Sequence, residues 1–262
     1  MNWIVQLDPR LLGLLVVGAY LGLGMGGYYA LRGYLRRALG GEHGVHNGSV
    51  AAFISPAGTL CGLLLGLVAV TAWRSHSEAA SLVSHEATTL AALYRDVSDY
   101  PQPVRDELRG LVKEYVRYVI DEAWPVQRRC EVPQGGVPRA YALFKRLASF
   151  TPANARESIE HQEAMRAFNI FFEARRARLD AVTRGLPETL WWVVVATGII
   201  VIGMTWCIVA PLPRVQAALT AALSVVVGLL VFLIVALDKP FCGPMGVDPA
   251  PFVLIRDQLM RD

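Results

Sequence analysis

"SPAGTLCGLLLGLVAVTAWRSHSEAAS", Ser55 to Ser81, carries Gly58, Gly62 and Gly66 on a four-residue repeat and then meets Trp73-Arg74, where its apolar run gives way to serine, histidine and glutamate. On a helix, positions four apart share one side, so the glycines make a strip without side chains on which another backbone can rest. No ionisable side chain interrupts the apolar run from Ala51 to Trp73. About 20 apolar residues suffice to cross a hydrocarbon core of roughly 30 Å as a helix. The stretch therefore reads as a membrane span. No strong breaker separates Ala69 from Asp96. The span is thus expected to continue as one rod about 50 Å long or longer, at about 1.5 Å per residue, with Ser77-Glu78 and His85-Glu86 on its wet part.

Working outward, the chain of 262 residues is 54% hydrophobic, and its mean hydropathy is +0.39. The apolar residues are gathered into blocks, and three more windows qualify as spans: Leu11 to Leu31, Leu190 to Ala210 and Val215 to Leu237. Loops at that depth could not satisfy their backbone, so all four are expected to be helices. The first follows Asp8. It exceeds the roughly 7 to 15 residues of a secretory signal core, and it is expected to be retained. The expected fold is an all-α integral membrane protein with four transmembrane helices and a helical cytoplasmic domain inserted between the second and third. Its parts are a first hairpin over 1–73, a soluble domain over 74–189, a second hairpin over 190–237 and a post-span tail over 238–262.

Within the soluble stretch, Leu108, Leu111, Val112, Tyr115, Val116 and Val119 mark one face of an amphipathic helix opened by Pro101 and Pro103. "EVPQGGVP", Glu131 to Pro138, reads as a loop, and "SFTPANARE" as a break before a helix over Ala155 to Thr183. That helix has Met165, Phe168, Phe172 and Leu179 on one face. Arg32, Arg36 and Arg37 pull the first short loop toward the cytoplasm; Arg74, Arg175, Arg176, Arg178, Arg184 and Lys239 pull the large domain there. Long domains weigh less in this rule, and the expectation is a cytoplasmic domain.

A net charge of +3 forms no basic run, which excludes nucleic acid as a partner class. Cys61 and Cys207 fall in spans, while Cys130 and Cys242 stand far apart in loops and suggest no disulfide framework. "GLGMGG" at Gly22 to Gly27 lies in a span and follows no strand, so it is helix packing and not a phosphate loop. His43 and His46 sit in a glycine-rich loop without further metal ligands. His85 with Glu86, and His161 with Glu160, read as solvated faces; Arg128, Arg129 and Glu131 read as a charged surface loop. No carboxylate pair, Ser-His-Asp arrangement or metal set is visible, so neither an enzyme nor a cofactor is expected.

On the first span Gly18, Gly22 and Gly26 repeat the four-residue spacing, giving two helices that each present a packing strip. Clear of the strip on the second span stand Thr59, Leu63, Leu67 and Val70. This stripe could face lipid or a partner helix, or line an apolar constriction that gates a pore by dewetting.

"GTLCGLLLGLVAVTAW", the following "SHSEAASLVSHEATTLAALYR", "DEAWP" at Asp121 to Pro125 and the tail "LDKPFCGPMGVDPAPF" from Leu237 to Phe252 resemble the bacterial bestrophin-like family, distantly similar to bestrophin ion channels. The resemblance covers nearly the whole chain. It implies a homo-oligomeric ion channel or pore of five subunits in the bacterial inner membrane, with lipid, copies of itself and small inorganic ions as partners. It also implies a pore neck at Thr59, Leu63 and Leu67, and a post-span element at Asp238, Pro240, Phe241 and Gly243. Calcium-sensing bestrophins have an acidic run after this element. Here "CGPMGVDP" offers only Asp248, too little for six to eight oxygen ligands, so calcium gating is not expected. The alternative function is a non-conducting membrane scaffold or sensor that binds a partner through its cytoplasmic helices.

Overall fold

The computed structural model describes residues 6–38, 43–208 and 212–260, and among them no strand occurs. Nine α-helices are found among the described residues: α1 Pro9–Ala38, α2 His43–Asp96, α3 Val104–Tyr118, α4 Trp124–Arg128, α5 Gly136–Ala148, α6 Ala155–Val182, α7 Glu188–Trp206, α8 Pro213–Asp238 and α9 Ala250–Gln258. Among the described residues four stretches are long and apolar enough to cross a membrane: Pro9–Tyr34, Ile54–Asp99, Glu188–Trp206 and Pro213–Asp238. The uninterrupted rod is present, since α2 runs for 54 residues with Pro56 inside it. Its start corrects one expectation, because His43 to Gly48 belong to the helix and not to a loop. A glycine weakens a helix by about 1 kcal/mol but does not end one. The side chains of Arg36, Arg37, His43 and His46 lie outside the described residues.

The chain divides into two compact units, Leu7–Arg74 with Gly185–Asp238, and Ser75–Arg184 with Lys239–Asp262. In the first, the span unit, Asp8 opens α1 by accepting the backbone N–H of Arg10 at 2.8 Å. Gln216, Thr220, Ser224, Val227, Gly228 and Val231 of α8 are buried on one face. Small residues there let backbones close up: a Cβ on Gly24 would stand 2.1 Å from Ser224 Oγ, and one on Gly228 would stand 2.9 Å from Val17 Cα. Likewise Gly27 accommodates the Trp206 ring and Gly198 the Tyr20 ring, at 2.0 and 2.8 Å from the same construction. Trp206 Nε1 donates to the Gly24 carbonyl at 3.0 Å, and Tyr28 Oη to that of Pro213 at 3.0 Å. Trp206 and Tyr28 are thus paired inside, as a medium without water favours.

In the second unit the rod presents Ala79, Val83, Ala87, Leu90, Leu93 and Tyr94 to a core shared with Leu108, Val112, Tyr115 and Val116 of α3, Leu143 and Leu147 of α5, and Phe168 and Phe171 of α6. The amphipathic α3 is therefore where its spacing predicts. A π turn, Val119–Ala123, separates α3 from α4. Pro125 explains it: its ring has no N–H for the Asp121 carbonyl and would collide with it in a regular helix. The loop after α4 is shorter than expected, since α5 already begins at Gly136; Pro138 in its first turn lacks only a donor that had no helical partner. The break before α6 is closed by Asn154, whose side chain accepts from Glu157 N while the Glu157 carboxylate accepts from Ala153 N at 2.8 Å. The two residues thus cap the helix start reciprocally.

Candidate functional site

In the span unit, one side of α2 buries Leu65, Val68, Ala69 and Ala72. At 100° per residue these cluster around one direction, and Thr59, Leu63, Leu67 and Val70 cluster around the opposite one. Leu63 and Leu67 are each 60% exposed within the chain, and Val70 and Trp73 are exposed with them. Thr59 and Thr71 spend their hydroxyls on backbone carbonyls one turn back, each at 2.9 Å from Ser55 and Leu67, so the face shows methyl groups and no free donor. Along its edge a Cβ on Gly58, Gly62 or Gly66 would meet nothing within 4 Å, and the same holds for Gly18, Gly22 and Gly26 on α1. In the span unit the glycines where an added Cβ would stand less than 3.0 Å from another atom are Gly24, Gly27, Gly198 and Gly228. Spacing alone could not separate the two sets.

The post-span element is built from buried groups. Asp238, 4% exposed, ends α8 and accepts the Leu186 N–H at 2.6 Å, tying the start of α7 to the end of α8 within the span unit. In the second unit Phe241 is buried with its ring 6.2 Å from that of Trp124. Trp124 Nε1 donates to the Val247 carbonyl at 3.1 Å, and the Val247 N–H to that of Pro240 at 2.7 Å. Gly243 adopts φ 66° and donates its N–H to the Arg128 carbonyl at 2.9 Å. That left-handed conformation suits a residue without a Cβ. Between them Cys242 forms a disulfide with Cys130, with Cα atoms 5.0 Å apart. This corrects the expectation that the two cysteines stand apart. The bridge closes a separation of 112 residues. In a chain-entropy account a loop of that length stabilises by about 4 to 5 kcal/mol.

Glu86 is another correction. It is fully buried and not solvated, paired with Arg178 through Nε and, at 3.2 Å, through Nη2, while Tyr115 Oη donates to it at 2.7 Å. Burial, and then the Glu86 charge, pushes the Tyr115 hydroxyl well above its ordinary range and keeps it a donor. Arg178 also lies 5.5 Å from the Trp124 ring centre and 5.8 Å from that of Phe252. These ring contacts join α6 to α4 and to α9 of the tail. The sequence holds a signal for this: Glu86 lies between Val83 and Leu90 on the apolar face of α2, and Arg178 continues the face of Phe168 and Phe171 on α6.

His161 too is less solvated than expected; its Nδ1 and Tyr100 Oη are 2.7 Å apart. The Tyr100 hydroxyl is pushed up to about 12, first by burial and then by Asp96 and Glu160. His85 is exposed, Glu160 pairs with Arg156 at 2.7 Å, and Arg128 and Arg129 reach Asp248 and Glu131 at 3.0 and 3.9 Å on the surface. Among the described residues no group of three or more His, Cys, Asp or Glu is placed to hold a metal ion.

The sequence matches the Bestrophin-like domain family over residues 18–252. No curated protein matches it. Among solved structures, a bacterial bestrophin homologue from Klebsiella pneumoniae carrying a single substitution superposes with a TM-score of 0.69 at 12% identity, covering 95% of this chain and 97% of the other. A crystal structure described only as that of a membrane protein gives the same values. The fold is shared at an identity too low to carry activity across. With nearly its whole length matched, the chain belongs to the bestrophin-like family.

Proposed function

We propose that the protein is a homo-oligomeric ion channel in which the apolar face of α2 forms the neck, with Thr59, Leu63 and Leu67 around a shared axis. The observation that carries this reading is the unpartnered face of α2, where Leu63 and Leu67 stand 60% exposed beside the open strip Gly58, Gly62 and Gly66. A lipid-facing helix gains little from bare backbone, whereas a neighbouring helix gains close contact from it. The strips on α1 and α2 thus suit neighbouring copies and leave the leucine stripe directed at the axis. An apolar ring restricts wetting without choosing the sign of the ion. On the resemblance to bestrophins we propose five copies, with Asp238, Pro240, Phe241 and Gly243 as the element that ends the last span.

Currents from the purified protein in planar bilayers test the neck. Leu63→Ala and Leu67→Ala are expected to raise the conductance of a pentameric particle. Silent bilayers, together with a monomeric or dimeric mass, would instead favour the scaffold or sensor that binds a partner through its helices.

The chain is placed in the inner membrane, with the helices between the second and third spans forming a water-exposed cytoplasmic domain, as the arginines near the spans suggest. One observation favours the reverse orientation: the Cys130–Cys242 bridge belongs to the second unit. Disulfides persist in oxidising compartments. Ser81 is exposed on this unit. A Ser81→Cys variant in intact cells is expected to resist a membrane-impermeant maleimide if the unit is cytoplasmic and to react if it is not.

A further inference from the structure

Helix α4 ends in a turn that glycine ordinarily fills. The Cys130 N–H donates to the Gln127 carbonyl at 2.8 Å, and the Glu131 N–H to that of Val126 at 3.3 Å. These are the paired bonds of a Schellman turn, and Cys130 is its left-handed residue. Its φ of 64° is the only positive φ of a non-glycine among the described residues. An L side chain seldom adopts that conformation, so the sulfur stands where the backbone would favour no side chain at all. Such an outlier points to a use for the side chain.

The tail meets this turn from the other side. Gly243, itself left-handed, donates its N–H to the Arg128 carbonyl at 2.9 Å and brings the preceding Cys242 beside Cys130, with Cα atoms 5.0 Å apart. That separation is within the range a disulfide needs. The tail is also held by contacts other than the sulfur bond: Trp124 Nε1 donates to the Val247 carbonyl, and the Arg128 guanidinium lies 3.0 Å from the Asp248 carboxylate. With those contacts in place, the two thiols remain neighbours after reduction and the bond can form again. Cys242 is 1% exposed, whereas Cys130 is partly exposed. A thiolate from solvent therefore attacks at the Cys130 sulfur, with Cys242 as the leaving group.

We propose that Cys130 and Cys242 form a reversible thiol–disulfide switch that locks the post-span element onto the end of α4 when oxidised and releases it when reduced by a small thiol such as glutathione. A first glutathione joins Cys130 in a mixed disulfide while Cys242 leaves and takes up a proton. A second then frees Cys130, so two glutathiones become one glutathione disulfide and the protein gains two thiols. The switch rests on the proposed cytoplasmic placement of the second unit, since in that compartment thiols are kept reduced and bridges are transient and redox-sensing. Labelling of Ser81→Cys tests that placement by itself.

The test equilibrates the full chain in detergent with reduced and oxidised glutathione at a series of ratios. Each sample is quenched with acid, unfolded and alkylated, and its free thiols are counted by intact mass. With the bridge closed the free thiols are Cys61 and Cys207. In reducing mixtures Cys130 and Cys242 are expected to join them, and in oxidising mixtures to pair again, with Tm about 10 °C lower in the reduced state. Cys130→Gly, which suits the left-handed turn, is expected to melt above the reduced wild type and to ignore the glutathione ratio. A bridge that stays closed at every ratio, thiols that stay free at every ratio, or the same Tm in both states overturns the proposal. So does a Cys130→Gly protein that melts below the reduced wild type, because the cysteine would then be held there for packing.

Discussion

In the span unit the closest approaches are made by residues with almost no side chain: Gly24 against Ser224, Gly228 against Val17 and Gly198 against Tyr20. In the second unit they are made by large or charged side chains: Tyr115 and Phe171 with ring centres 5.1 Å apart, Trp124 against Phe241, and Glu86 bound to Arg178. On the proposed arrangement, with the second unit in water, the difference follows from the solvent each unit is built for. Between helices in lipid, burying apolar area gives no drive, because the lipid tail is as apolar as leucine, so cohesion depends on short distances and paired hydroxyls. In water, burying a large ring stabilises by about 1.5 to 3 kcal/mol, and aromatic packing becomes the main source of cohesion.

The largest effect is expected where the second unit departs from that apolar rule. Removing the charge with Glu86→Gln leaves Arg178 uncompensated beside Tyr115, and a loss of about 3 to 5 kcal/mol is expected, read as a lower midpoint for this unit in denaturant while the tryptophan signals of the spans stay unchanged. A Glu86→Gln protein as stable as the wild type would mean that the pair is held for reasons other than cohesion. Next come the inward glycines. Gly228→Val forces a side chain onto the backbone of Val17. About 1 to 3 kcal/mol is expected to be lost from the span unit, seen as a lower Tm in detergent. The smallest effect on the chain itself belongs to Gly62→Val, whose added atoms meet nothing within 4 Å at the first carbon. Its expected result is an unchanged Tm with a smaller particle mass. If both glycine variants behaved alike, the division into inward and outward strips would be wrong.

The spans and the rod were legible in the sequence because both depend on properties local to a helix: hydropathy over one window for the first, and the absence of a breaker from Ala69 to Asp96 for the second. The face of α3 and the break before α6 were legible for the same reason. The Glu86–Arg178 pair was not, since its partners are 92 residues apart. A lone acid on a charged helix ordinarily faces water. Its place on an apolar face was the available clue. The stripe at Thr59, Leu63 and Leu67 was readable as a face, while its role as a neck remains part of the proposal. His161 shows the same limit, because nothing near it in the chain announces Tyr100.

What the sequence determined by itself was the all-helical character, the four apolar helices and the path of α2, since each needs only neighbours within a few turns. Only the tertiary structure decided which glycines are covered, that Cys130 meets Cys242, and that Glu86 meets Arg178. Those outcomes depend on groups brought together from distant parts of the chain, and their energies are settled by distance and burial, which periodicity does not encode.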